Sequence, residues 1–171
     1  MEKYITTNFL VIPSEVDEIT NPDLSPIENT MNIAKAKGEE VFKRYPDNIV
    51  ISCDTIVLLD NKIYGKPKDK YDAVKMFKEL SGKTHSVITA YWIITKKKII
   101  HDYVESRVTF YELSDEVIDG YIATGSPFDK AGGYGIQDEY ASKIVKSYEG
   151  SLSNIIGFPY EEIKKALDGL K

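Results

Sequence analysis

Apolar and polar positions alternate along this chain with two periods, one of two residues and one close to 3.6. The longest β-type run is Ile49-Val50-Ile51-Ser52-Cys53-Asp54-Thr55-Ile56-Val57-Leu58-Leu59. Period-two reading puts Val50, Ser52, Asp54, Ile56 and Leu58 on one face, with the remaining residues on the other. Both faces are mostly apolar, which predicts a strand covered on both sides near the centre of a sheet. Asp60-Asn61 turns this strand back into Lys62-Ile63-Tyr64 as a hairpin. Asn8 to Ile12 reads as a strand stopped by Pro13. Thr84 to Thr95 and Ile99 to Tyr111 form a long hairpin around Lys96-Lys97-Lys98, and Ala141 to Tyr148 predicts a further strand.

The helical period appears four times. Ser25 caps a helix with Pro26 at its first position, and Ile27, Met31, Ala34, Val41 and Phe42 mark an apolar stripe ending near Tyr45. Asp69 caps Lys70 to Leu80, stopped by Gly82. Ser114 caps Asp115 to Ala123, and a terminal helix runs through Leu167. Strands and helices are mixed without regular βαβ alternation, so the fold class is α/β of the mixed α+β kind. At 171 residues the chain suits one domain, 1–171, with room for two lobes.

Composition narrows the function classes. A hydrophobic share of 42% with 29% charged residues describes a globular protein, and a net charge of −5 disfavours general attraction to nucleic acid or membranes. The single cysteine, Cys53, rules out an intrachain disulfide, and with His85 and His101 it has no zinc-site spacing. His85, at a strand start after a helix, reads as structural. No apolar run is long enough to span a bilayer and no signal-peptide pattern opens the chain, so the expected location is cytoplasmic.

Against that background Asp54 stands out, because an ionised carboxylate in an apolar strand needs a metal, a cation or hydrogen-bond donors to offset its desolvation. Two readings are open for it: a strand-end Asp holding a loop amide, or a site residue. Gly65-Lys66-Pro67-Lys68 follows the hairpin with cations. Val16-Asp17-Glu18 adds acids after Pro13, and Lys37 lies on the first helix about 200° around from Lys35, so at most one of the two serves a common site. Carboxylates that hold a hard divalent ion, together with lysines that neutralise phosphoryl charge, suggest phosphate chemistry. Asp129-Lys130-Ala131-Gly132-Gly133-Tyr134-Gly135-Ile136-Gln137 packs three glycines beside an acid, a base and an amide, a composition that lets backbone meet a ligand closely.

Several of these stretches together resemble the Maf family of nucleoside triphosphate pyrophosphatases: Ile51-Ser52-Cys53-Asp54-Thr55, Gly65-Lys66-Pro67, Leu80-Ser81-Gly82-Lys83-Thr84-His85, the segment 129–137, and Asn154-Ile155-Ile156-Gly157-Phe158-Pro159. The resemblance runs in order from about Asn8 to the carboxyl end. It implies a fold like that of the inosine triphosphate pyrophosphatases, an elongated mixed sheet flanked by helices with a cleft between two lobes. It also implies hydrolysis of a nucleoside triphosphate between its α and β phosphorus with Mg²⁺ or Mn²⁺. By matching position, Asp54 would be the general base or a metal ligand and Glu18 would help carry the metal. Lys66 and Lys37 would bind phosphates, with Asp129 and Lys130 also on the substrate. Thr55 and Gln137 match positions associated with choosing the base, in versions that look like the branch acting on dTTP and UTP.

One departure accompanies the match. Family members open with a strand and a Ser-x-Ser-Pro-Arg-Arg loop whose arginines face the phosphates, and this sequence shows no such motif. Met1-Glu2-Lys3-Tyr4 looks like the helix that normally follows, Arg44 and Arg107 are the only arginines, and the expectation is an N-terminally short domain. A missing strand would expose a sheet edge and favour a homodimer or swapping. It also leaves an alternative open, a nucleotide-binding protein impaired in catalysis or a truncated fragment.

Overall fold

A computed structural model describes residues 9–170, with α1 (Pro26–Arg44), β1 (Val50–Leu59), β2 (Lys62–Tyr64), α2 (Lys70–Leu80), β3 (Thr84–Ile94), β4 (Ile99–Phe110), α3 (Asp115–Ala123), α4 (Ala141–Ile144), β5 (Val145–Glu149), α5 (Leu152–Ile155) and α6 (Tyr160–Asp168). The strands form one sheet in the order β2-β1-β3-β4-β5, with β1–β2 and β4–β5 antiparallel. The fold is α+β. The expected helix at Met1-Glu2-Lys3-Tyr4 lies outside the described residues, as does Asn8 of the first expected strand.

Local chemistry explains most boundaries. Ser25 and Glu28 form a reciprocal capping box at the start of α1: the Glu28 N–H donates to Ser25 Oγ at 3.2 Å, and the Ser25 N–H donates to Glu28 Oε2 at 2.8 Å. Asp69 and Ser114 cap α2 and α3 in the simpler way. Asp60 and Asn61 both carry positive φ (50° and 64°), the conformation a two-residue hairpin turn requires. No residue of β1 is exposed, as its two apolar faces predict.

Two expected strands come out differently. Phe9 to Ile12 is irregular, and Leu10 and Val11 lie 78% and 77% exposed, so its apolar run covers no described core. Ala141 to Ile144 is a helical turn before β5 begins at Val145. The Tyr111 N–H donates to Ile144 O at 2.9 Å, the point at which this segment joins the end of β4.

The chain divides into two compact units. The first comprises 1–54, 89–104 and 157–171, and the second 55–88 and 105–156. In the first, Tyr91, Ile93 and Ile163 form a buried cluster, with Ile51, Cys53, Phe158 and Leu167 packed on it. The second has the larger core, built from Val57, Leu59, Phe77, Leu80, Val87, Val108, Phe110, Tyr121 and their neighbours. Within this second unit, Asn154 Nδ2 donates to Val87 O at 3.0 Å and to Ser106 Oγ at 2.9 Å, which fixes α5 onto β3 and β4.

Candidate active site

In the first unit, α1 brings a cation to the polar stripe of β1. Ser52 Oγ donates to Ala34 O at 2.7 Å, and a Cβ at Gly38 would meet that oxygen at 2.5 Å, so only glycine allows the helix this close. One residue earlier on the helix, Lys37 Nζ donates to Asp54 Oδ1 at 2.8 Å and pairs with Glu18 Oε1 at 2.6 Å. The Asp54 side chain is only 10% exposed, against 51% for Glu18. A carboxylate this buried needs a charge partner, and Lys37 supplies one. Burial pushes the Lys37 ammonium towards a lower pKa, but hydrogen bonds to Asp54 and Glu18 outweigh it and hold the pKa above its ordinary value.

Glu18 reaches this point because its loop is tied to α1. Arg44 Nη2 donates to Pro13 O at 2.9 Å, and Glu40 Oε2 accepts from the Glu15 N–H at 3.4 Å while also pairing with Arg44. At the far end of the same stretch, just before α1, Asn29 Nδ2 donates to Asn21 O and Leu24 O, and its Oδ1 accepts from the Asn21 N–H. Lys35 turns away to Glu39 and the Trp92 ring, leaving Lys37 as the site lysine of the two. Beside Lys37, Ser52 and Cys53 opens a cavity of about 600 Å³, whose apolar lining includes Leu10, Ile12, Val41 and Ile49. Cys53 packs its sulfur into the apolar cluster, and burial followed by the nearby Asp54 charge pushes the thiol pKa up to about 12, so it is no nucleophile.

In the second unit, the loop carrying Lys66 meets the glycine-rich segment through backbone. The Gly132 N–H donates to Gly65 O at 3.0 Å, and Gly132 (φ 69°) lies so near Val57 that a Cβ would meet its side chain at 2.8 Å. Lys66 is exposed on that loop. Gln137 is exposed in a turn closed by the Asp138 N–H on Gly135 O at 3.0 Å. Asp129 is exposed and pairs with Lys130 at 2.7 Å. Thr55 follows Asp54 in β1, on the alternate face. His85 is 2% exposed, hydrogen-bonded through Nε2 to Tyr134 Oη at 2.8 Å and edge-on to Phe110, and burial pulls its pKa down to about 4. It is a neutral core residue.

The structure therefore brings Glu18, Lys37 and Asp54 together in one unit, and the Lys66 loop and the segment 129–137 together in the other. Sequence reasoning missed Asn29 and Arg44, which shape the Glu18 loop, and also Tyr121, Ser126 and Asp138 around Gln137. Asn29 had one signal, a polar residue on the buried side of a first helical turn. Among the described residues no three or more His, Cys, Asp or Glu side chains group as a metal cage. The two carboxylates that converge on Lys37 are oxygen donors of the kind a hard divalent ion takes.

An α+β protein that holds two acids on a lysine and joins a lysine loop to a glycine-rich one fits a phosphate-handling class. The chain matches the family model described as "Maf-like protein" over residues 1–170, and it belongs to that family. It is 43% identical over 174 residues to a protein of Caldicellulosiruptor saccharolyticus named dTTP/UTP pyrophosphatase, covering 98% of this chain and 87% of the relative. Proteins of the same name from Pyrococcus furiosus and Aquifex aeolicus are 44% and 40% identical, covering 94% and 93% of this chain and 84% and 83% of the relatives. Among the described residues no helix is long and apolar enough to cross a membrane.

Proposed function

We propose that this protein is a nucleoside triphosphate pyrophosphatase acting on dTTP and UTP, or on modified pyrimidine triphosphates, to give the monophosphate and pyrophosphate. The observation that carries the reading is the convergence of Asp54 and Glu18 on the single ammonium of Lys37. Similarity to relatives named for this activity supports the substrate class.

In this reading Asp54 is the general base or metal ligand, charge-paired with Lys37. Glu18 is its metal-binding companion. Mg²⁺ or Mn²⁺ bound by the two carboxylates would supply Lewis-acid polarisation of a phosphoryl oxygen. Lys37 and Lys66 contribute positive charge for the phosphates, Lys37 from a pre-formed position and Lys66 from an exposed loop. Thr55 and Gln137 contact the base.

The test is pyrophosphate release from dTTP, UTP, CTP and GTP with Mg²⁺ or Mn²⁺, comparing the protein with Asp54→Asn. The reading expects metal-dependent release that favours dTTP and UTP and falls at least about a hundredfold in the variant, the scale of losing a general base. Equal rates in both proteins would overturn it. Saturable nucleotide binding without turnover would point instead to a binding protein.

A further inference from the structure

The turn that carries Gln137 is held by a chain of hydrogen bonds that the proposed chemistry does not use. Lys130 Nζ donates to Ser126 O at 2.9 Å, to Ser126 Oγ at 3.0 Å and to Asp129 Oδ1 at 2.7 Å. Ser126 Oγ passes its own hydrogen to Asp138 Oδ2 at 2.6 Å. Tyr121 Oη donates to the same carboxylate oxygen at 2.5 Å and accepts from the Gly135 N–H at 3.0 Å. Every donor in this path has an acceptor, and Tyr121 is 1% exposed in the core. An ammonium has three N–H groups, so the three contacts of Lys130 engage all of them inside the loop. Glycine at 135 is part of the design: a Cβ there would meet Lys130 Cε at 2.8 Å and Asp138 Oδ1 at 2.9 Å.

We propose that Tyr121, Ser126, Asp138 and Lys130 form a polar frame that fixes the Gly135–Asp138 turn and so sets Gln137 for discriminating the base, which makes Asp138 and Lys130 positioning residues. This rests on the reading of the chain as a pyrimidine nucleotide pyrophosphatase with Gln137 at the base. Lys130 thereby changes role, from a contact with the substrate to a staple within the loop that presents Gln137. The arrangement favours ionised Asp138: burial pushes its carboxyl up, but the Ser126 and Tyr121 hydrogen bonds outweigh it and hold the pKa below the usual value. Its anchor is Tyr121, buried near the C-terminal end of α3, so loosening any one link frees the turn without opening the core.

Tyr121→Phe is the sparing variant, because it removes one hydroxyl and keeps the ring edge-on to Phe77 and stacked on Tyr140. Asp138→Asn is the second. The frame predicts that both raise KM for dTTP and UTP about tenfold and reduce the preference for UTP over GTP at least about fivefold, with kcat within about twofold. A fall in melting temperature with KM and base preference unchanged would overturn it. A readout independent of turnover is amide hydrogen exchange, where the frame expects residues 134–138 to exchange at least about tenfold faster in Asp138→Asn and Lys130→Met, with α1 unchanged. Unchanged exchange in that segment would reject the frame, even in a protein that hydrolyses no nucleotide. Absent turnover with accelerated exchange would keep the frame and reject only the pyrophosphatase reading.

Discussion

Lys37 joins stability to chemistry, because the same ammonium neutralises a nearly buried carboxylate and holds Glu18 beside it. Removing it in Lys37→Ala leaves Asp54 with little water to replace its partner. The expected cost is about 2 kcal/mol, lowered from the fully buried range because Lys37 and Glu18 are part-exposed, and urea denaturation measures it. Asp54→Asn in the same chain should recover part of that loss, since the buried carboxylate charge that Lys37 offsets is then gone. The raised Lys37 pKa fixes the sign of its alkaline dependence: the stabilisation is complete below about pH 10 and disappears as pH climbs through the folded-state value.

His85 gives the opposite dependence. Its folded pKa of about 4 lies below the ordinary 6.5, so the unfolded chain takes up a proton that the native ring refuses. Stability present above pH 6.5 should fall as pH drops towards 4, by at most about 1.4 kcal/mol per pH unit. His85→Gln keeps a hydrogen-bond partner for Tyr134 without titrating, and should flatten that slope in denaturation curves collected between pH 4 and 7. An unaltered slope would show that other groups dominate acid unfolding.

At the scale of elements, the approach of α1 to β1 depends on Gly38. In Gly38→Ala the new methyl meets Ser52 Oγ at 2.5 Å and Ile94 Cδ1 at 3.0 Å, so the helix must move or the strand must bend. The expected cost is about 1–3 kcal/mol, with weakened pairing of Lys37 to Asp54 and reduced turnover beyond what stability alone explains. Ser25→Ala, at the far end of the same helix, should cost about 0.5–2 kcal/mol in thermal or urea melts and leave turnover intact. The start of α1 was legible because Ser25 and Pro26 state it locally, and α2 and α3 were legible from their own caps, Asp69 and Ser114. Phe9 to Ile12 was misread because an apolar run specifies a strand only where a neighbour pairs with it. Ala141 to Ile144 was misread because a single helical turn carries too few residues to show a period.

Across the whole molecule, the length left room for two lobes and the family resemblance implied them. The chain does divide into two units with their own cores, but the residue pattern did not say which segments belong to which. Both cores draw on the same strands, and alternation along a strand records which face is covered without recording by what. The site was legible in a similar, uneven way. Asp54 announced itself as a charge in an apolar strand, whereas helix direction said only that at most one of Lys35 and Lys37 could serve, and the resemblance chose Lys37. Glu18 was one of three acids in a loop, singled out beforehand by the family resemblance alone, and its contact with Lys37 gives that choice a physical ground. Asp138, Tyr121 and Ser126 are separated along the chain and ordinary in type, so their joint effect on the Gln137 turn exists only in three dimensions.

The proposed reaction has Asp54, charge-paired with Lys37 beside Glu18, drive pyrophosphate release from a pyrimidine triphosphate. Its most direct test is the rate of pyrophosphate release from dTTP and UTP with Mg²⁺ or Mn²⁺, for the protein and for Asp54→Asn matched for folding by circular dichroism. The predicted result is metal-dependent release by the unaltered protein and a rate lower by at least about a hundredfold in the variant. Equal release from both, or none from either with any pyrimidine triphosphate, would contradict it.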